Sequence, residues 1–235
     1  MARFSCTLLI VPILNGSIAA PVTATVINRQ PPVVGLLLLV CALVVHLPAA
    51  TAPRIVAFGD SLTSGRGIGR DAAYPAVLQD RLTREGYDYQ VVNAGLSGDT
   101  TSRALRRLRG ALDGDVRVLI VALGANDGLR GVSVDQLKSN LGKIIEEAQQ
   151  RKIDVVLVGM DALPIHGLPY SIAFHKAYEE LAAEHRITLV RSVLPRVMLD
   201  RSLMQPDGVH PNDEGARVIA NAIWPSLEPL LKRVA

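Results

Sequence analysis

Arg54-Ile55-Val56-Ala57-Phe58-Gly59-Asp60-Ser61-Leu62 is the stretch from which the rest of the chain is read. The apolar run Ile55–Phe58 predicts a strand, Arg54–Phe58, buried on both faces as in a parallel sheet. A serine just beyond it stands at the carboxyl end of that strand, where open α/β sheets place their reactive groups. A serine hydroxyl is a weak nucleophile at neutral pH and needs a neighbouring base. Far along the chain, Asp207-Gly208-Val209-His210 offers one. His210 is the candidate proton acceptor, and Asp207, one turn earlier, is placed to hold its imidazole in one tautomer.

Working outward from the first strand, the chain alternates helix and strand. Tyr74, Val77, Leu78 and Leu82 fall at helical spacing before Gly86, a C-terminal stop. Tyr89–Val92 reads as a short strand, followed by a helix bearing Ala104, Leu105, Leu108 and Leu112. Val116–Leu123 is the most apolar run and reads as the central strand. Ser133 with Gln136 predicts a capping box opening a helix through Val134, Leu137, Leu141, Ile144, Ile145 and Ala148. Ile153–Val158 and Ile187–Val190 complete five strands, with a helix over 171–185 between them. A last helix begins near Asp213 and carries Ala216, Val218, Ile219, Ala222 and Ile223, and Pro225 is expected to bend or end it. Such alternation predicts an α/β protein of three layers, α/β/α, around a flavodoxin-like parallel five-stranded sheet.

At 235 residues, the chain has room for one domain with a substantial core. Residues 53–235 are expected to form it, and residues 1–52 to be something else. No Asp or Glu precedes Asp60, and an apolar run over 33–50 ends in the small residues Ala49, Ala50, Thr51 and Ala52. With Arg29 ahead of the apolar run, that layout predicts a secretory signal with a long approach of 32 residues, cleaved near residues 49–53. The alternative is a retained anchor over 33–50. Cys6 and Cys41 both lie in this prefix, so the domain is expected to hold no disulfide and no cysteine metal site. Removing Arg3 and Arg29 from the 25 Lys+Arg leaves 23 against 22 Asp+Glu in residues 51–235. A balance that close gives no ground for a nucleic-acid footprint, which needs a clustered basic face.

Four strings occur in order along the domain: Gly59-Asp60-Ser61-Leu62, Gly95-Leu96-Ser97-Gly98-Asp99-Thr100, Gly124-Ala125-Asn126-Asp127 and Asp207-Gly208-Val209-His210-Pro211-Asn212. In these blocks the chain resembles the SGNH (GDSL) hydrolases over about residues 54–231. It is most similar to bacterial periplasmic esterases of the thioesterase, protease and lysophospholipase type, with which it shares Gly124–Gly131 and a Leu163-Pro164 loop leading to Tyr170. The resemblance implies a serine esterase that cleaves carboxylic ester or thioester bonds of short to medium acyl chains. Ser61 is then the nucleophile, with His210 and Asp207 completing the catalytic set. The oxyanion donors are the backbone N–H groups of Ser61 and Gly98 and the side-chain amide of Asn126. The implied partners are small esters, thioesters or lysolipids, with transient membrane contact, on a monomer that needs no cofactor and no metal.

Other residues have plainer readings. Asp60 and Asp99 are expected to bond backbone N–H groups in their own loops. Arg103, Arg106, Arg107 and Arg109 read as a solvated helix face, or as a contact for anionic lipid headgroups. Met160, Leu163, Pro164, Ile165 and Leu168 are expected to form one wall of an acyl groove, with His166 in a loop beside it. His175 and His185 fall in or at the end of a helix, away from catalysis. Rival readings are a carbohydrate acetylesterase, a flavodoxin-like flavin or nucleotide binder, and an anchored interaction domain without activity. Against the nucleotide binder stands the glycine pattern Gly65-x-Gly67-x-Gly69, which departs from the dinucleotide fingerprint.

Overall fold

In the computed structural model, residues 52–192 and 194–231 are described. The expected signal or anchor, with Cys6 and Cys41, lies outside them. Five strands pair in parallel: β1 (Arg54–Gly59), β2 (Gln90–Gly95), β3 (Val116–Ala122), β4 (Asp154–Val158) and β5 (Thr188–Val190). Their order is β2-β1-β3-β4-β5, the doubly wound arrangement of flavodoxin-like sheets. Parallel neighbours require crossovers, and helices supply them. The helices are α1 (Ser61–Ser64), α2 (Tyr74–Glu85), α3 (Thr101–Ala111), α4 (Ala125–Arg130), α5 (Val134–Gln150), α6 (Leu168–His185), α7 (Leu194–Met198) and α8 (Asp213–Leu227).

α2 packs beside α8, while α3 packs on α5 and α5 on α6. The sheet is thus sandwiched between two helical layers, as its sequence predicts. Val118, Leu119, Ile120 and Val121 of β3 have no exposed surface, which explains the unbroken apolar run of that strand. Among the described residues no helix is long and apolar enough to cross a membrane.

Several boundaries differ from expectation for identifiable reasons. β2 runs on through Asn93, Ala94 and Gly95, because these pair with Ala57, Phe58 and Gly59. α6 starts at Leu168 rather than residue 171, since Pro169 fits the first turn of a helix. α8 continues past Pro225 to Leu227. The carbonyl that Pro225 cannot serve belongs to Asn221, an exposed residue, so solvent is at hand to replace the bond. At Ser133 only half of the capping box forms. Its side chain accepts from the Gln136 N–H, whereas the Gln136 amide turns to Asn140 Oδ1 at 3.0 Å.

α1 sits directly on the end of β2. A Cβ added at Gly95 would lie 2.3 Å from the Ser64 backbone nitrogen and 2.7 Å from the Thr63 carbonyl carbon. No side-chain rotation relieves a clash with backbone. Gly95→Ala is therefore expected to destabilise the fold by about 1–3 kcal/mol, the usual scale of overpacking. Urea unfolding of the two proteins measures it.

Candidate active site

The site begins with strand register. β1 pairs with β2 and with β3 so that Gly59 stands beside both Gly95 and Ala122. The loops carrying Ser61, Gly98 and Asn126 therefore leave the carboxyl edge of the sheet from adjacent points. Asp60 caps α1, its Oδ1 accepting from the Leu62 N–H at 3.1 Å. Ser61 is the first helical residue, so its own N–H is one of the donors a helix start leaves unpaired.

The base arrives from the segment before α8. His210 Nε2 stands 3.1 Å from Ser61 Oγ, and His210 Nδ1 stands 2.7 Å from Asp207 Oδ2. An ionised carboxylate only accepts, so Nδ1 carries the proton and Nε2 keeps a lone pair directed at the serine hydroxyl. The other Asp207 oxygen accepts from the backbone N–H groups of Val209, at 2.9 Å, and His210, at 3.0 Å. These bonds, the His210 N–H foremost, hold the Asp207 carboxyl well below the usual carboxylate range. Asp207 is half exposed and His210 mostly covered. The fold brings together the three residues that the sequence pattern singles out.

Gly98 adopts φ +79°, a left-handed conformation that favours glycine. A Cβ there would meet no protein atom and would project into open space. Among the described residues its N–H has no hydrogen-bond acceptor. Asn126 is the second residue of α4, a short helix that its polar and glycine-rich sequence does not announce. One Asn126 amide hydrogen is given to Asp60 Oδ2 at 3.2 Å, leaving the second free. Asp60 is fully buried, and burial pushes its carboxyl up to about 6 against the pull of the Leu62 and Asn126 bonds. Asp127, next in the chain, is buried too. It accepts from the Thr101 N–H at 2.9 Å and from the Thr101 hydroxyl at 2.6 Å, tying α4 to the start of α3.

One arginine of the expected solvated face turns inward. Arg107 donates through Nε to Asp99 Oδ2 at 2.6 Å, and through Nη1 and Nη2 to the carbonyls of Ala94 at 2.8 Å and Gly59 at 2.9 Å. Its guanidinium lies 4.3 Å from the centre of the Phe58 ring. Arg107 thus binds the ends of β1 and β2 to the residue after Gly98. Asp99 accordingly takes a guanidinium partner rather than the backbone N–H groups expected of it, with Arg103 Nε at 3.5 Å from its other oxygen. Only the planar, five-donor fork of arginine can serve three acceptors at once.

The expected acyl wall divides. Leu163, Pro164 and Ile165 are exposed, as is Leu168. Met160 is instead buried, facing a cavity of about 20 Å³ shared with Leu62, Tyr74, Ala122, Ile219 and Ile223. Two residues beyond the end of β4, it still lies in the core rather than in the open loop. His166 Nε2 lies 3.3 Å from the Leu129 carbonyl, and Tyr170 Oη donates to the Val132 carbonyl at 2.7 Å, so this loop is fastened to α4. His175 Nδ1 is 2.7 Å from Asp161 Oδ1, a second histidine–carboxylate pair at the base of the same loop. Among the described residues no group of three or more His, Cys, Asp or Glu is arranged to hold a metal ion.

The chain is similar to several known proteins. The chain is 39% identical over 191 residues to esterase TesA of Pseudomonas aeruginosa, covering 81% of this chain and 95% of that protein. It is 34% identical over 184 residues to thioesterase 1/protease 1/lysophospholipase L1 of Escherichia coli, covering 78% and 87%. An arylesterase of Vibrio mimicus is 33% identical over 189 residues, covering 80% and 94%. Among solved structures, the crystal structure of TesA superposes with a TM-score of 0.72 at 37% identity, over 76% of this chain and 99% of that one. Residues 57–218 match the sequence pattern of a family of ester-cleaving enzymes. With that match and these relatives, the chain belongs to the GDSL-like lipase/acylhydrolase family.

Proposed function

We propose that this chain is a serine carboxylic ester hydrolase in which Ser61, His210 and Asp207 form an acyl-enzyme, with Ser61, Gly98 and Asn126 as oxyanion donors. The observation that carries the reading is the continuous path from Asp207 Oδ2 through His210 to Ser61 Oγ, at 2.7 and 3.1 Å. Ser61 Oγ bonds to the acyl carbon as its proton passes to His210 Nε2. The carbonyl oxygen becomes an anion, held by the Ser61 and Gly98 N–H groups and the free Asn126 amide hydrogen. His210 returns its proton to the alcohol or thiol as the bond from carbon to that group breaks. Water then attacks the acyl-serine by the same route, giving the acid and free Ser61.

The substrates are esters and thioesters of short to medium acyl chains, including lysolipids. The names of the relatives, esterase, arylesterase and thioesterase/lysophospholipase, support this class. So do the exposed apolar side chains of Leu163, Ile165, Leu168 and Ile172 in the segment after β4, on the same edge of the sheet as Ser61. Each methylene of an acyl chain laid against them gains up to ~0.8 kcal/mol. Residues 1–52 act as an export segment, and residues 53–235 are the enzyme that is released or displayed outside the membrane.

Ser61→Ala and His210→Ala are each expected to abolish hydrolysis of p-nitrophenyl butyrate, and the double variant to be little worse, since the two act as a unit. Asn126→Ala should lower kcat by ~100-fold or more with KM nearly constant, as for a donor used in the transition state. Steady-state kinetics on the purified variants measures all four.

Asp60 makes stability depend on pH. Its carboxyl stands at about 6 in the fold against 3.8 ordinarily. Between these values the folded chain holds a proton that the unfolded chain has released, so Asp60 favours the fold most on the acid side. Relative to Asp60→Asn, the unfolding free energy of the native protein should fall by about 2 kcal/mol from pH 4 to pH 7. Urea titrations at each pH read the difference.

A chain beginning at Thr51 should fold and hydrolyse esters as well as the full chain, because β1 starts at Arg54. Mass spectrometry of the protein from an exporting host should find its N-terminus near Thr51–Arg54. An intact N-terminus in the membrane fraction would mark residues 33–50 as an anchor.

A further inference from the structure

His210 is carried by a loop outside the sheet, and its distance to Ser61 is not set by strand register. Among the described residues, only two hydrogen bonds join the segment Arg201–Asn212 to the segment Asp60–Gly69. One is the contact of His210 Nε2 with Ser61 Oγ. The other comes from Gln205, whose Nε2 donates to the Arg66 carbonyl at 2.7 Å.

The bonds around Gln205 close a ring. Arg66 N–H donates to the Ser61 carbonyl at 3.1 Å, and the Gln205 N–H donates to the His210 carbonyl at 2.8 Å. The backbone of the nucleophile is thereby joined to the backbone of the base through Arg66 and Gln205, in parallel with the contact between their side chains. The second Gln205 amide hydrogen goes to the Pro211 carbonyl at 2.8 Å, and the Gln205 carbonyl accepts from the Gly208 N–H at 3.0 Å. Both donors of one side-chain nitrogen are spent on carbonyls from the two loops. The amide oxygen lies against Gly67, where an added Cβ would stand 1.9 Å from it. Gly67 has φ +84°, so the loop after α1 is shaped to admit Gln205.

The remaining anchors of the base loop do not reach the nucleophile. Met204 bridges to Pro211, Asn212 N–H donates to the Leu203 carbonyl, and Asn212 Nδ2 donates to the Ser202 carbonyl at 2.7 Å. All three hold the segment to itself. We infer that Gln205 is a positioning residue that fixes the separation of His210 from Ser61 by bonding the base loop to the loop that follows the nucleophile. The inference rests on the roles proposed above for Ser61 and His210.

Two variants remove the donors while keeping the side-chain length, Gln205→Glu and Gln205→Met. Neither touches a group that contacts substrate. Displacing a reacting pair by about 1 Å costs on the order of 100-fold in rate. Each variant is therefore expected to lower kcat for p-nitrophenyl butyrate by ~10- to 100-fold, with KM within about twofold of native. The rate of Ser61 labelling by a fluorophosphonate should fall in step. A Gly67→Ala change should slow the native enzyme but cost markedly less in a Gln205→Ala background, where the amide oxygen it strikes is gone. The melting temperature, followed by circular dichroism, identifies any variant that fails to fold, and the kinetics are then read from the other variant and the Gly67 cycle. Native-like kcat in a folded variant overturns the inference, and so does a loss confined to KM or full additivity of the Gly67 and Gln205 changes. If Ser61→Ala stays active, the catalytic reading itself has failed, which is a separate result.

Discussion

Everything at the site depends on the parallel pairing that ends β1, β2 and β3 side by side, at Gly59, Gly95 and Ala122. Neighbouring strands lie about 4.8 Å apart. Three loops that start from adjacent strand ends can therefore bring Ser61, Gly98 and Asn126 to one place with only two to four residues each. Short-range geometry does the placing. Arg107 reinforces it from beneath, binding the Gly59 and Ala94 carbonyls and Asp99 with one rigid cation. Its stacking on Phe58 adds an attraction between cation and ring of about 1–2 kcal/mol when partly shielded from water.

Three carboxylates are buried under this edge, and each is treated differently. Asp99 is met by a guanidinium, so its charge is compensated directly. Asp127 is held by two bonds from Thr101, and burial still raises it. Asp60 has only one backbone N–H and the Asn126 amide. Burying an acid without a paired cation normally forces it toward its neutral form. Asp60 is retained at the spot where its second oxygen fixes the rotation of the Asn126 amide, so an unfavourable burial is coupled to an orienting bond.

The α/β/α layering and the residues gathered at the sheet edge were legible in the sequence because they follow from period, punctuation and residue chemistry. A buried strand must be apolar, and a nucleophile needs a base of a particular kind. Boundaries that depend on pairing were not legible: β2 reaches Gly95 only because β1 is beside it. Nor does sequence tell direction at a loop mouth. Met160 and Leu163 are similarly apolar and three residues apart, yet one is in the core and the other in solvent. The inward turn of Arg107 and the reach of Gln205 belong to contacts across 48 and 139 residues, which no local pattern encodes. α4 is not legible because Asn126-Asp127-Gly128 lacks an apolar stripe, its helix being held by Thr101 instead.

The cavity of about 20 Å³ behind Leu62 gives the nucleophile turn an uneven mechanical setting. On the side of β2, Ser64 and Thr63 lie in direct backbone contact with Gly95, and nothing there yields. At Leu62 the turn borders a void with an apolar lining, too poorly furnished with polar groups to hold water. Atoms bordering such a gap lack contacts on one side and meet less resistance when they move. α1 is consequently stiff where Thr63 and Ser64 meet Gly95 and compliant where Leu62 borders the void.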